Sequence, residues 1–269
     1  MRTRSAATTR IARRSAAPSA RALRGFTLVE IMIAIVIGLF LTGGLLTLVQ
    51  AMKRTFIMQS AMSQLQDNER MAMTLIADVI QSAGYFPQPN VNTPALLMPS
   101  VGPFATAGQS IVGTGAGTAV APGDTITVRY VTWGTNNGDQ TINCTGGTSP
   151  IQLLLTNQFG LQADPNVPGT YDLICSLNGA PPVVLVNGIA NLQIYYGVAT
   201  NPDAASNSVD TYLDANGVTN WSRVLSVKVT LTFVNPLYGT LPGQSTVNTP
   251  QTIPFTRVVD VMNKGGITT

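Results

Sequence analysis

Between an arginine-rich stretch and a long apolar run, Arg24-Gly25-Phe26-Thr27-Leu28-Val29-Glu30 sets a small residue, an aromatic ring and one carboxylate in close order. Glu30 is the only charged residue from 26 to 50. A carboxylate a few residues inside a membrane span costs a few kcal/mol on insertion scales and usually has a partner, unless it sits at the interface among headgroups. Gly25 precedes the apolar run, whereas a secretory signal has its small-residue cleavage site after a shorter one. A cut at Gly25 therefore removes the basic leader and keeps the hydrophobic helix. Thr27 and Glu30 also have the spacing of a capping box. The carboxylates beyond the helix are all aspartates, and the chain has no histidine. Nucleophile–base constellations thus lack their usual base, and nothing in the aspartate spacing pairs two carboxylates for hydrolysis. The reading is of a protein that is not an enzyme and carries no cofactor. The Gly-Thr-Gly-Ala-Gly run at 113–117 follows no expected strand, so it reads as a flexible loop rather than a phosphate cradle. One ligand signal remains, where Asp203, Asp210, Asp214, Asn216 and Gly217 crowd a loop before Trp221. Calcium favours such oxygens, but the EF-hand spacing is not met and no glutamate closes the loop, so a solvated turn is the simpler reading.

The elements that must position these groups begin with the apolar run. Residues 26–50 are long enough to cross a bilayer once, and seven arginines precede them. The N-terminus should stay cytoplasmic and the chain beyond residue 50 should be exported. All seven arginines lie within 1–25; the remainder has eight basic and twelve acidic residues, a net charge near −4. That acidity, with sparse aromatics, does not support nucleic-acid binding by this subunit alone. Two cysteines in an exported chain, Cys144 and Cys175, most simply form a disulfide, the alternative being two buried thiols; a metal site has too few soft ligands. Residues 51–84 continue the helix, with Ala61, Leu65, Ala72, Ile76, Val79, Ile80 and Ala83 along one stripe and Gln59, Gln64, Gln66, Asp67, Glu69, Arg70 and Asp78 off it. Gly84 ends it, with Pro87 and Pro89 beyond. Gly38, Gly43 and Gly44 weaken the apolar half or allow close helix packing.

Residues 85–123 are expected as an irregular connection and 124–269 as a β-rich domain. Residues 124–133 alternate, with Ile126, Val128 and Tyr130 on one face and Thr125, Thr127 and Arg129 on the other. Strands follow at 151–155 and 171–177. Residues 183–186 and 189–198 are expected to form a hairpin about Asn187-Gly188. Val227, Val229, Leu231 and Phe233 mark the clearest strand, and 255–261 the last. The fold class is α+β: a long N-terminal helix packed on an antiparallel sheet.

Gly-Phe-Thr-Leu-Val-Glu before an apolar helix resembles the class III signal of type IV pilins and type II secretion pseudopilins. The resemblance implies a pilin-like fold, cleavage by a prepilin peptidase between Gly25 and Phe26, and N-methylation of Phe26. It also implies that Glu30 pairs, during assembly, with the N-terminal amine that cleavage creates on a neighbouring subunit. Val-Leu-Val-Asn-Gly-Ile-Ala-Asn-Leu-Gln-Ile-Tyr-Tyr-Gly at 184–197 is similar to a segment of PilW-type minor pilins, and Trp-Ser-Arg-Val-Leu-Ser-Val-Lys-Val at 221–229 is similar to one of their strands. Asp260-Val261-Met262-Asn263-Lys264 departs from the Arg-Asn pair that resemblance leads one to expect. A minor pilin would prime assembly or join the tip complex of a type IV pilus. Its partners would be other minor pilins, the major pilin, the inner-membrane assembly platform and, before assembly, the lipid bilayer; its final location would be the extracellular pilus. The alternatives are a J-type pseudopilin and an anchored adhesin or ligand-binding domain displayed through the same machinery.

Intact-mass analysis of the protein from membranes should find a mature species beginning at methylated Phe26 that disappears in a strain lacking the prepilin peptidase. An uncut chain, or one cut after the apolar run, contradicts this reading.

Overall fold

A computed structural model describes residues 25–115, 123–200, 208–239 and 250–262. The basic leader, Asp203, the end of the 113–117 run and the residues from Asn263 on lie outside them. The helix α1 (Leu28–Gln81) runs for 54 residues. Proline is absent from it, and the Thr27 hydroxyl accepts the Glu30 amide N–H at 3.3 Å, one half of the capping box. It gives way to a turn at 82–84, where Gly84 takes φ +77° and leaves the helical path.

The chain divides into two compact units, 1–54 and 55–269. In the first, the described helix is exposed on every side, and its most apolar 18-residue window has a mean hydropathy of 2.5 and no buried residue. The Thr42 and Thr47 hydroxyls donate back to the Gly38 and Gly44 carbonyls at 2.7 and 2.8 Å. Both are thus satisfied within the helix, as a segment in hydrocarbon requires.

In the second unit, α1 buries Leu65, Ala72, Met73, Ile76, Ala77, Val79 and Ile80. Met73 and Ala77 widen the expected stripe, and Ala61 is only half-buried. These side chains share one core with the inward faces of an eight-stranded antiparallel sheet. The strands are β1 (Ile111–Thr114), β2 (Thr125–Thr132), β3 (Leu153–Ala163), β4 (Tyr171–Leu177), β5 (Val183–Val198), β6 (Thr211–Leu213), β7 (Val224–Val234) and β8 (Thr252–Asp260). Their order is β1-β2-β3-β4-β5-β7-β8, with β6 also on β5. Val227, Val229, Leu231 and Phe233 all face the core, as their alternation requires.

Three expectations need correction. The chain does not reverse at Asn187-Gly188, because β5 runs straight through it as one sixteen-residue strand. Gly188 takes φ +78° at a register shift against β4, and the Asn187 carboxamide donates to Asp172 at 2.9 Å, so a turn signal makes a bulge instead. The connection 85–123 is not wholly irregular, since it contains β1 and a short helix, α2 (Pro94–Leu97), with Pro94 in its first turn behind the Thr93 cap. Finally, the polar face of β2 is not at the surface, because Arg129 is fully buried. Its guanidinium donates to the carbonyls of Gln109, Pro99, Met98 and Thr106 at 2.6, 2.6, 3.3 and 3.4 Å and lies 4.0 Å from the Phe104 ring centre. Burial pushes its pKa down to about 10, which leaves a cation at neutral pH. The segment from Met98 to Gln109 is therefore folded around a charge that water does not reach.

Closure of the sheet rests on Asp124. On one edge β5 pairs β4 as far as Ile189 and β6 from Tyr196, and between them no strand of the described residues covers it. Asp124 fills that gap: its N–H donates to the Leu192 carbonyl at 2.9 Å and its carboxylate accepts the Ile194 N–H at 2.7 Å. The approach is so close that a Cβ at Gly123, at φ +92°, would lie 2.3 Å from the Leu192 carbonyl oxygen. Burial first, and the Asp124 charge second, hold the Tyr196 phenol above the ordinary tyrosine range. Asp124→Ala strands a buried N–H and should destabilise the domain by about 1–3 kcal/mol, read from urea unfolding in detergent. A loss within error would show that Asp124 does not carry the closure.

Candidate functional site

The groups singled out at the N-terminal end of α1 lie where the helix begins. Gly25, Phe26 and Thr27 precede it without regular structure, and all are exposed. Phe26 is 76% exposed. No atom lies within 4 Å of where a Cβ on Gly25 would sit. The Gly25–Phe26 bond is thus open to an enzyme, which an internal helical bond would not be. Glu30 occupies the first helical turn, where the positive end of the helix dipole stabilises a carboxylate by about 0.3–1 kcal/mol. With Phe26, Ile31, Ala34 and Ile35 it lines a shallow apolar hollow on one side of the helix. That arrangement places one carboxyl group on an otherwise hydrocarbon surface. Beyond it α1 is continuous through Gly38, Gly43 and Gly44, and the space beside each is open.

The other residues named from sequence lie elsewhere and do not join this site. Cys144, in the connection between β2 and β3, is bonded to Cys175 on β4 across 6.0 Å between Cα atoms. The Cys144 N–H donates to the Asn157 carboxamide oxygen at 2.8 Å, so the connection is held to the sheet at two adjacent points. Asp210, just ahead of β6, accepts the Thr200 N–H and hydroxyl at 2.7 and 3.1 Å. Asp214 accepts the Gly217 N–H at 2.7 Å and closes the turn that holds Asn216. Their carboxylates are thus engaged in shaping the chain. Among the described residues no group of three or more histidine, cysteine or acidic side chains could hold a metal ion.

Comparison with known proteins falls on the same two regions. The model of the prokaryotic N-terminal methylation motif matches residues 21–46, which hold Gly25, Phe26 and Glu30. The model of type IV pilus-assembly protein W matches residues 170–263, from the start of β4 through β8. The chain is thus similar to PilW-like type IV pilins in both regions. Together the two matches cover less than half of it, and β1, β2 and β3 lie outside both. No curated protein matches the sequence. For a PilW-like pilin the methylation motif implies processing by prepilin peptidase and assembly with other pilins, and the apolar helix fits membrane anchoring.

Sequence reasoning missed Asp124 and Arg129 as the residues that hold the domain together. The signal for Asp124 was the Gly-Asp pair at the head of an alternating strand. Arg129 gave none, because a charged residue on the polar face of a strand ordinarily meets water.

Replacing both cysteines by serine removes a cross-link between residues 31 apart and should lower domain stability by about 3–4 kcal/mol. Urea unfolding with and without reductant checks this: reductant should shift the midpoint of the native protein and leave the double variant unmoved.

Proposed function

We propose that this pilin is a minor subunit of a type IV pilus that takes part in starting assembly or in the tip complex. The observation that supports the reading best is α1 itself. Its first half is exposed among the described residues, its one carboxylate sits in the first turn, and the bond expected to be cut lies exposed just before it. Such a helix is stable in lipid, and equally in a bundle of like helices that supplies a cation beside Glu30.

In this reading prepilin peptidase cuts between Gly25 and Phe26 and Phe26 is N-methylated. The N-terminus faces the cytoplasm, and the domain waits in the periplasm. The new amine of one subunit then meets Glu30 of the next, and the pair is drawn together more strongly as water is excluded. The partners are other minor pilins, the major pilin and the inner-membrane assembly platform, and the assembled subunit leaves the cell in the pilus. The match to the PilW model supports the pilus.

Deleting the coding sequence in a piliated strain should reduce surface pili about tenfold or more with the cellular amount of major pilin unchanged. Complementation with Glu30→Gln, which keeps the shape and removes the charge, should leave a processed, membrane-held protein that does not restore the pili. Normal piliation in the deletion strain, with a defect in protein secretion instead, would assign the chain to a secretion system.

A further inference from the structure

Where α1 ends, the second unit carries an open cleft of about 390 Å³ lined by Asp78, Gln81, Tyr85, Gln140, Ile142 and Met262, with Ser82 and Thr141 between them. That volume lies within the range of small-molecule sites, about 300–1,000 Å³. The side chains of Asp78, Gln81, Tyr85 and Gln140 make no hydrogen bond to any described residue. One carboxylate, two carboxamides and a phenol therefore converge on a single space with their hydrogen-bonding capacity unspent.

The walls that carry them are fixed. The Tyr85 carbonyl accepts the Val131 N–H at 2.8 Å and the Gly84 N–H donates to Arg129 at 3.0 Å, so the chain leaving α1 is bound to β2. Gln140 lies between Asp139 and Thr141, and Asp139 accepts from the Trp133 N–H at 2.6 Å, the Thr132 hydroxyl at 2.9 Å, the Thr141 N–H at 2.8 Å and the Thr141 hydroxyl. Burial alone would raise the Asp139 pKa, and these bonds outweigh it and lower it, so the clamp is charged and closed at neutral pH. The Tyr130 hydroxyl donates to the Ile142 carbonyl. A cleft held open in this way binds without the cost of ordering its own walls.

We propose that this cleft is a binding site for a neutral saccharide unit. Vicinal hydroxyls each donate one hydrogen bond and accept others. A carboxylate beside carboxamides answers both demands, with Asp78 accepting while the Gln81 and Gln140 N–H groups donate. Tyr85, Ile142 and Met262 supply apolar surface for the C–H face of a sugar ring. Burial first, and the Asp139 charge second, raise the Tyr85 phenol, which keeps it a donor at neutral pH. Asp78 in the cleft and Asp139 behind it repel anions. A lone ammonium offers only donors, so it would leave the carboxamide N–H groups and the phenol O–H without an acceptor. The site stands apart from the processing end of the chain, so this proposal does not rest on the assembly role.

The test is saturation-transfer NMR on the mature full-length protein in detergent, with methyl glycosides of galactose, mannose, glucose and N-acetylglucosamine as neutral probes and cadaverine as a cationic one. At least one glycoside should receive saturation. Asp78→Asn and Gln140→Ala should each weaken its binding about tenfold, both being substitutions of side chains without internal partners. No transfer to any glycoside overturns the proposal. So does transfer that both variants leave unchanged, or binding of cadaverine alone. Should either variant fail to fold, Gln81→Ala replaces it, and wild-type thermal midpoints establish that folding is not what changed.

Discussion

Everything in this molecule follows from one uncovered surface. The first half of α1 is a helix with apolar residues on every side, and none of its residues is buried among the described ones. At about 25 cal/mol per Å² of apolar surface, such a helix does not remain in water. It is stable only in lipid or among helices of its own kind, and one surface serves both because hydrocarbon and a bundle of Leu, Ile and Val side chains are much alike as solvents. The threonine hydroxyls turn back onto the helix carbonyls, and Glu30, in the first turn, is the one charge from 26 to 50. A single charge on such a surface becomes the most selective feature it has.

The second unit solves a different problem with the remainder of the same helix. From Leu65 on, α1 exchanges lipid for the inward face of a sheet, and its apolar residues narrow to a stripe. The sheet is too curled for strands to complete every edge, so individual polar groups finish the backbone pairing. Asp124 does for β5 what a strand would do, and Arg129 gathers four carbonyls that no secondary structure claims. Both are bought by burying charge, which is tolerable because each charge is hydrogen-bonded. The clamp at Asp139 and the link between Cys144 and Cys175 hold the connection between β2 and β3 by the same means. A small core is thereby extended by polar fasteners rather than by more apolar residues.

Legibility in the sequence followed the range of the forces involved. The long helix was readable because its determinants are local: an unbroken apolar run, a cap at Thr27, a glycine at its end. β7 was readable because strict alternation has one structural meaning when one face is buried. The Asn187-Gly188 pair misled, because the dihedrals that favour a tight turn also serve a bulge, and the pairing of β5 with both β4 and β7 decides between them. β1 was invisible for the opposite reason. Its Ile-Val-Gly-Thr has β-branched residues but is only four residues long and interrupted by glycine, and Gly113 lets it lie where a Cβ would strike the Tyr196 hydroxyl.

The sequence by itself determined which stretch is apolar enough to cross a membrane, which residue carries its lone charge and which strands have a buried face. These depend on the order of residues along a few turns, and no distant partner is needed to read them. Only the tertiary structure decided that β5 is one bent strand, that Asp124 closes the sheet, that Arg129 is a buried organiser, and that four unengaged polar side chains from α1, its exit and the loop at 140 face one cleft. Those outcomes join residues tens of positions apart, and a hydrogen bond or a cavity wall is set by where the backbone returns to in space, which local composition does not encode.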